Sequence, residues 1–185
     1  MKFQYIQEAI NLFESHVKEE ERRILPCTIK EVTDLELLLS PPYKLPIAYK
    51  EFLLYGGHQI AGLFNATDFS YQSAKFLVET NGRDILDMLQ SFEKRKSLDP
   101  DFFALVEHLG SNMYYIKLTE GENPPVYYWD EKYEVGLELS EIKYRDLPGM
   151  NYKSFSEFIA RKINVYVTHL HKHYIKRITE RNGEY

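Results

Sequence analysis

A single cysteine, Cys27, among 185 residues leaves no internal disulfide to hold a fold together. Long apolar runs are also missing, and no stretch approaches the roughly 20 residues needed to cross a bilayer. The first 23 residues set Glu8, Glu14 and Glu19 to Glu21 into an amphipathic pattern, which the apolar core of an export signal would exclude. A cytoplasmic protein with no membrane partner is therefore expected. Basic charge is scarce over most of the chain. Residues 1–160 hold seventeen Lys/Arg against twenty-six Asp/Glu, a charge of −9, while the stretch from Arg161 onward carries +4. Nucleic-acid binding depends on Lys and Arg neutralising phosphates, so such a body excludes nucleic acid as an expected ligand and suits a basic protein instead. Neither HExxH nor a Cys pair occurs, which removes the usual zinc signatures. Internal repeats and linker-like stretches are absent as well, so residues 1–185 read as one domain.

What is present is an ordinary apolar share of 44%, ordinary charge at 28%, and an excess of aromatics at 15% that rests mostly on fifteen tyrosines. A chain of this length can bury about 70% of the surface that it exposes when unfolded.

Phe3, Ile6, Ile10, Phe13 and Val17 recur at helical spacing and predict a first helix running to about Arg22. Thr28-Ile29-Lys30-Glu31 spells a capping box, so a second helix starts at Thr28, with Ile29, Val32, Leu35, Leu38 and Leu39 on its apolar side. Between Leu45 and Gly57 lies a short helix with both ends written in. Pro46 suits its first turn, and Gly56 can adopt the left-handed conformation that closes a helix. Ile47, Phe52, Leu53 and Leu54 form its expected buried side, with Lys50 and Glu51 facing water. A short strand is expected about Ile60 to Phe64, and helix between Tyr71 and Lys96, broken near Asn81-Gly82.

From Asp101 the period changes to that of sheet. Phe102–Val106, Met113–Leu118 and Val126–Trp129 read as antiparallel strands joined by the turns at 109–112 and 121–125, with a weaker fourth strand at 134–139. Ser154-Phe155-Ser156-Glu157 is a second capping box, and Phe155, Phe158, Ile159, Ile163 and Tyr166 give the helix that it opens a buried side. Replacing Ser154 with alanine is expected to cost about 1 kcal/mol in equilibrium unfolding. Past Val167 the helix is expected to project, since only Leu170, Tyr174 and Ile178 are left to pack.

In order, Leu35-Glu36 precedes Leu45-Pro46, Tyr49-Lys50, Phe52-Leu53 and Gly56-Gly57. Gly110 and Asn112 then lie in a turn between strands. Val126-Tyr127-Tyr128-Trp129-Asp130 ends in an aromatic and Asp, and Ser154-Phe155-Ser156-Glu157-Phe158 starts a closing helix. Over roughly Thr28 to Ile163 this succession resembles the SUKH superfamily, which includes the SMI/KNR-like cell-wall regulators of fungi and many bacterial immunity proteins. Tyr55 departs from the Asn often found before the Gly pair, and the tail past Val167 outruns the usual end.

The resemblance implies an α+β fold in one domain, with a mainly antiparallel sheet of about four to six strands. The N-terminal helices and a long C-terminal helix would pack around it. The core would span about 28–167, with 168–185 as a helical extension. It implies no enzyme activity and no cofactor. Bacterial members similar to this chain neutralise a cognate toxin, often a nuclease, by direct binding, whereas fungal relatives act as regulatory scaffolds.

The segment from Glu120 to Glu141 sets Glu120, Glu122, Asp130, Glu131, Glu134, Glu138 and Glu141 against one Lys132, a local charge of −6. That field would speed capture of a basic toxin, with Trp129 and Tyr133 as anchors. Two bland readings stand beside it: solvated loops of an acidic protein, and a core position for Trp129.

His169 and His173 share a helical face with Glu180, but structural zinc usually takes four ligands including Cys, and cations near a helix C-terminus are favourable by themselves. No metal is expected there, and His171 has no assigned role. Turn chemistry and strand ends explain Asp99/Asp101 and Glu107/His108. Cys27, just before a capping Thr, would have a lowered pKa if the helix start governed it, and would be inert if buried.

Overall fold

The structure is a computed structural model and describes residues 2–63, 69–80, 101–108, 112–130 and 151–171; at 107, 108, 112, 129 and 130 it describes the backbone alone. Its elements in chain order begin with α1 (Gln7–His16), a 3-10 turn (Glu19–Glu21), β1 (Ile24–Leu25), α2 (Ile29–Leu37) and α3 (Ile47–Gly56). There follow β2 (Gln59–Ile60), α4 (Tyr71–Glu79), β3 (Phe102–His108), β4 (Asn112–Lys117), β5 (Tyr127–Asp130) and α5 (Phe155–Val165), which runs on into a π turn (Tyr166–Leu170). The expected α+β class holds. Among the described residues the strands divide between an antiparallel sheet ordered β3-β4-β5 and a two-stranded ribbon of β1 and β2. The expected fourth strand at 134–139, the helical residues 81–96 and the tail from 172 lie outside the described residues.

Both capping boxes are read correctly from the sequence at their serine or threonine. Thr28 Oγ1 accepts from Glu31 N–H while Glu31 reaches back to Thr28 N–H. Ser154 Oγ accepts from Glu157 N–H, but Glu157 turns one residue further back and accepts from Lys153 N–H.

At the centre sits α3. Its Tyr49 ring lies 5.3 Å from Phe103 of β3 and 5.5 Å from Phe155 of α5, and Phe52 lies 4.7 Å from Phe69. The aromatic excess therefore fills one continuous core with edge-on and tilted ring contacts. On the sheet side, β3 buries Phe103, Ala104, Leu105 and Val106 in succession, and a bulge at Leu105 shifts the register between Ala104 and Val106. An unbroken apolar run of this kind suits a strand covered on both faces.

Four expectations are corrected. The first helix spans Gln7–His16 instead of extending to Arg22, because Val17 turns extended and the Arg22 guanidinium donates to Glu14 O and Val17 O, closing the last turn. Ile29 is 69% exposed and Ile47 and Leu38 are also exposed, so the apolar faces of α2 and α3 are narrower than their spacing suggests. Gly56 and Gly57 do not use left-handed backbone; Gly57 has φ −63. They are small because space is short: a Cβ on Gly57 would lie 2.6 Å from Cys27 Sγ and 2.8 Å from the Leu53 backbone, and one on Gly56 would overlap Ile60.

The fourth correction is the most consequential. Glu51 does not face water: it is 8% exposed and stands at the start of α1. Its carboxylate accepts from three successive backbone N–H groups, Gln4 at 2.6 Å, Tyr5 at 2.8 Å and Ile6 at 3.2 Å. Donors left over at a helix N-terminus need such a partner, and a carboxylate there also complements the helix dipole.

Candidate functional site

The connection between β4 and β5 carries Glu120 and Glu122 on an exposed loop that three elements hold in place. Gly121 takes φ +93, a left-handed turn that suits glycine, and so lets the chain reverse between the two carboxylates. Glu122 O accepts from Ala48 N–H at the start of α3. Asn123 clamps the loop to the first turn of α5, donating from Nδ2 to Ser156 Oγ and accepting at Oδ1 from Ser156 N–H, each at 2.9 Å.

Both carboxylates are oriented by tyrosine hydroxyls. Tyr5 donates to Glu122 at 2.7 Å and Tyr127 to Glu120 at 2.8 Å. Donation to Glu122, with minor desolvation, pushes the Tyr5 pKa above its ordinary value. The loop thus presents two fixed negative charges at the meeting point of α1, α3, α5 and the sheet.

Of the other residues expected in this surface, Trp129 and Asp130 fall in β5, where their backbones pair with Met113 and Asn112. Their side chains, and all of Glu131, Tyr133, Glu134 and Glu138, lie outside the described residues.

The histidine tail departs from expectation. Leu170 is exposed, Tyr166 is buried as expected, and His171 packs although the sequence assigns it no role. The buried Tyr166 hydroxyl accepts from Gly62 N–H at 3.2 Å and lies 3.2 Å from His171 Nδ1, while His171 Nε2 is 3.1 Å from Glu21 of the 3-10 turn. The expected pairing of His169 with His173 and Glu180 lies partly outside the described residues.

Sequence reasoning missed one cluster. Cys27 Sγ, a Glu31 oxygen and a His58 nitrogen lie within 4.8 Å of one another, where the first turn of α2 meets the Gly57 corner. The spacing of Cys27 and Glu31, four apart, was a weak signal, and nothing local pointed to His58. The helix start does not activate the thiol. Burial first, and the Glu31 charge second, push it up to about 12.

That shift makes a pH prediction. An unfolded thiol titrates near 8.5, so the stability linked to Cys27 is present below that pH and is lost as pH rises toward about 12. Urea midpoints at pH 8, 9.5 and 11 should fall more steeply for the wild type than for Cys27→Ala. Parallel slopes would mean that the thiol's environment is ordinary.

A sequence model of the SMI1 / KNR4 family (SUKH-1) matches residues 26–161. The chain belongs to that family. The match begins one residue before Cys27 and ends within α5, so it takes in the Cys27 cluster, α3, the described sheet and the acidic loop, and leaves out α1 and the π turn. The SMI1 / KNR4 family is generally non-catalytic. No curated protein matches the chain. Among the described residues, no helix is long and apolar enough to cross a membrane.

Proposed function

We propose that this family member is an immunity protein that neutralises a cognate, basic toxin by stoichiometric binding. The observation that carries this reading is the family match over residues 26–161, since SUKH domains are known as a toxin-immunity type. The charge of −9 over residues 1–160 and the pinned pair Glu120 and Glu122 support it, because complementary fields raise association rates toward a positively charged partner. In this reading Glu120, Glu122, Asp130, Glu131, Glu134 and Glu138 supply the field, and Trp129 and Tyr133 the anchoring contacts. The bound toxin is inactive because its own active or substrate-binding surface is covered.

Purification from the source cells should recover one basic protein at one-to-one stoichiometry, whose toxicity co-expression of this chain relieves. Several partners of moderate affinity, with no toxicity to relieve, would instead support the regulatory-scaffold reading.

Charge reversal refines the test. Replacing Glu120 and Glu122 together by lysine should slow association about tenfold at low salt and flatten its salt dependence, with far-UV circular dichroism unchanged. The same outcome is expected for Glu131 and Glu134. If stopped-flow association is as fast as wild type, the interface lies elsewhere.

A further inference from the structure

The Cys27, Glu31 and His58 side chains converge at the C-terminal end of α3, whereas the acidic loop is tied to Ala48 at its start. Backbone hydrogen bonds bring them there independently of the side chains: Cys27 N–H donates to Leu53 O at 2.9 Å, and His58 N–H to Leu25 O at 3.0 Å. Each of the two half-buried ligands is then turned by a neighbour. Glu31 Oε2 accepts from Thr28 N–H and Oγ1–H at 2.7 and 2.8 Å, which leaves Oε1 aimed at His58 Nε2, 3.0 Å away. On the far side of the ring, Nδ1 lies 3.0 Å from Gln72 Oε1.

Both ring nitrogens of His58 are thus held by neighbours, Nδ1 toward Gln72 and Nε2 toward Glu31. In the tautomer whose proton sits on Nδ1 and is donated to Gln72, Nε2 offers a lone pair to a metal ion. A cation there takes the place of the proton that a His58–Glu31 ion pair would share. Nitrogen and oxygen ligands at about 2.0–2.1 Å from one tetrahedral ion stand about 3.3 Å apart, close to the 3.0 Å seen here. We propose that the junction of α2, the Gly57 corner and α4 binds a divalent ion of the zinc type through Cys27 Sγ, His58 Nε2 and Glu31 Oε1, with water in the fourth position.

The donor set selects the class of ion. A thiolate with an imidazole suits zinc, whereas magnesium and calcium take oxygen ligands. Binding displaces the thiol proton to solvent, and thiolate and carboxylate together balance the ion's two charges. The Gln72 and Thr28 contacts are the outer partners that hold metal ligands in orientation. Gly57 leaves the sulfur its space, since a Cβ there would stand 2.6 Å from it.

The test uses the full chain without an affinity tag, stripped with EDTA and titrated with Zn²⁺ by calorimetry and with Co²⁺ by absorption. One ion per chain is expected, with a thiolate-to-cobalt charge-transfer band. Cys27→Ser and His58→Gln should each weaken binding about tenfold or more. His169→Gln with His173→Gln should leave it unchanged. Absence of stoichiometric binding overturns the proposal, and so does a cobalt spectrum of the wild type without a thiolate band, a readout that needs no variant to fold. Loss of binding in the tail variant would overturn it equally.

Discussion

Replacing Glu51 with alanine is expected to lower the unfolding free energy by about 3 kcal/mol, the scale for removing a charged acceptor from one buried and two part-buried donors. The carboxylate is the common acceptor of the Gln4, Tyr5 and Ile6 N–H groups, and no side chain at Ile6 caps the helix in its place. Glu51→Gln keeps one acceptor oxygen and turns a donor toward the others, so about half the loss should remain. For a chain of this size, 3 kcal/mol lowers the melting temperature by about 6–12 °C. Urea titration measures the loss, and hydrogen exchange locates it: the amides of residues 4–6 should lose protection before the rest of the core. A change below about 0.5 kcal/mol, the range of ordinary surface substitutions, would mean that water satisfies those donors equally well.

Gly57→Ala should cost a similar amount, about 3 kcal/mol, at the upper end for overpacking. The added methyl would meet the Cα and O of Leu53 at 2.8 Å as well as Cys27 Sγ at 2.6 Å, and a backbone in the last turn of α3 cannot step aside. Adding Cys27→Ala to this variant relieves the sulfur contact alone, so less than half of the stability should return. Gly56→Ala would drive its methyl into Cγ1 of the buried, β-branched Ile60, so its gain in helix propensity is outweighed and it should cost at least as much. Differential scanning calorimetry of the three variants separates these cases. A neutral Gly57→Ala would show that the corner has slack.

The features legible in the sequence are those whose cause lies within a few residues. Thr28 and Ser154 each find their N–H donor three positions on, and strands β3 to β5 follow from their own apolar and aromatic runs. Glu51 was misread because its partners stand some 46 positions away, and local periodicity assigns a charged residue beside Lys50 to water. The Gly pair was legible as the end of α3, where Gly57 is the C-cap, but the atoms that demand glycine there belong to Cys27, Leu53 and Ile60. His58 could be tied to Cys27 and Glu31 only once β1 had paired with β2. For the acidic surface, charge was readable but rigidity was not. The Tyr5, Tyr127, Ala48 and Ser156 contacts that fix Glu120 and Glu122 reach from as far as 117 positions away.

The packing of α1 against α5 orders events during synthesis. The apolar face of α1 includes Phe13, whose ring meets Tyr166, and the Glu21 carboxylate waits for His171, 150 residues later. Contacts of such sequence separation slow folding, since their loop must close before any of them forms. On the ribosome, Glu51 and Tyr55 can reach the α1 region early, while Phe13 waits for Tyr166, so part of the apolar face of the helix made first is covered last.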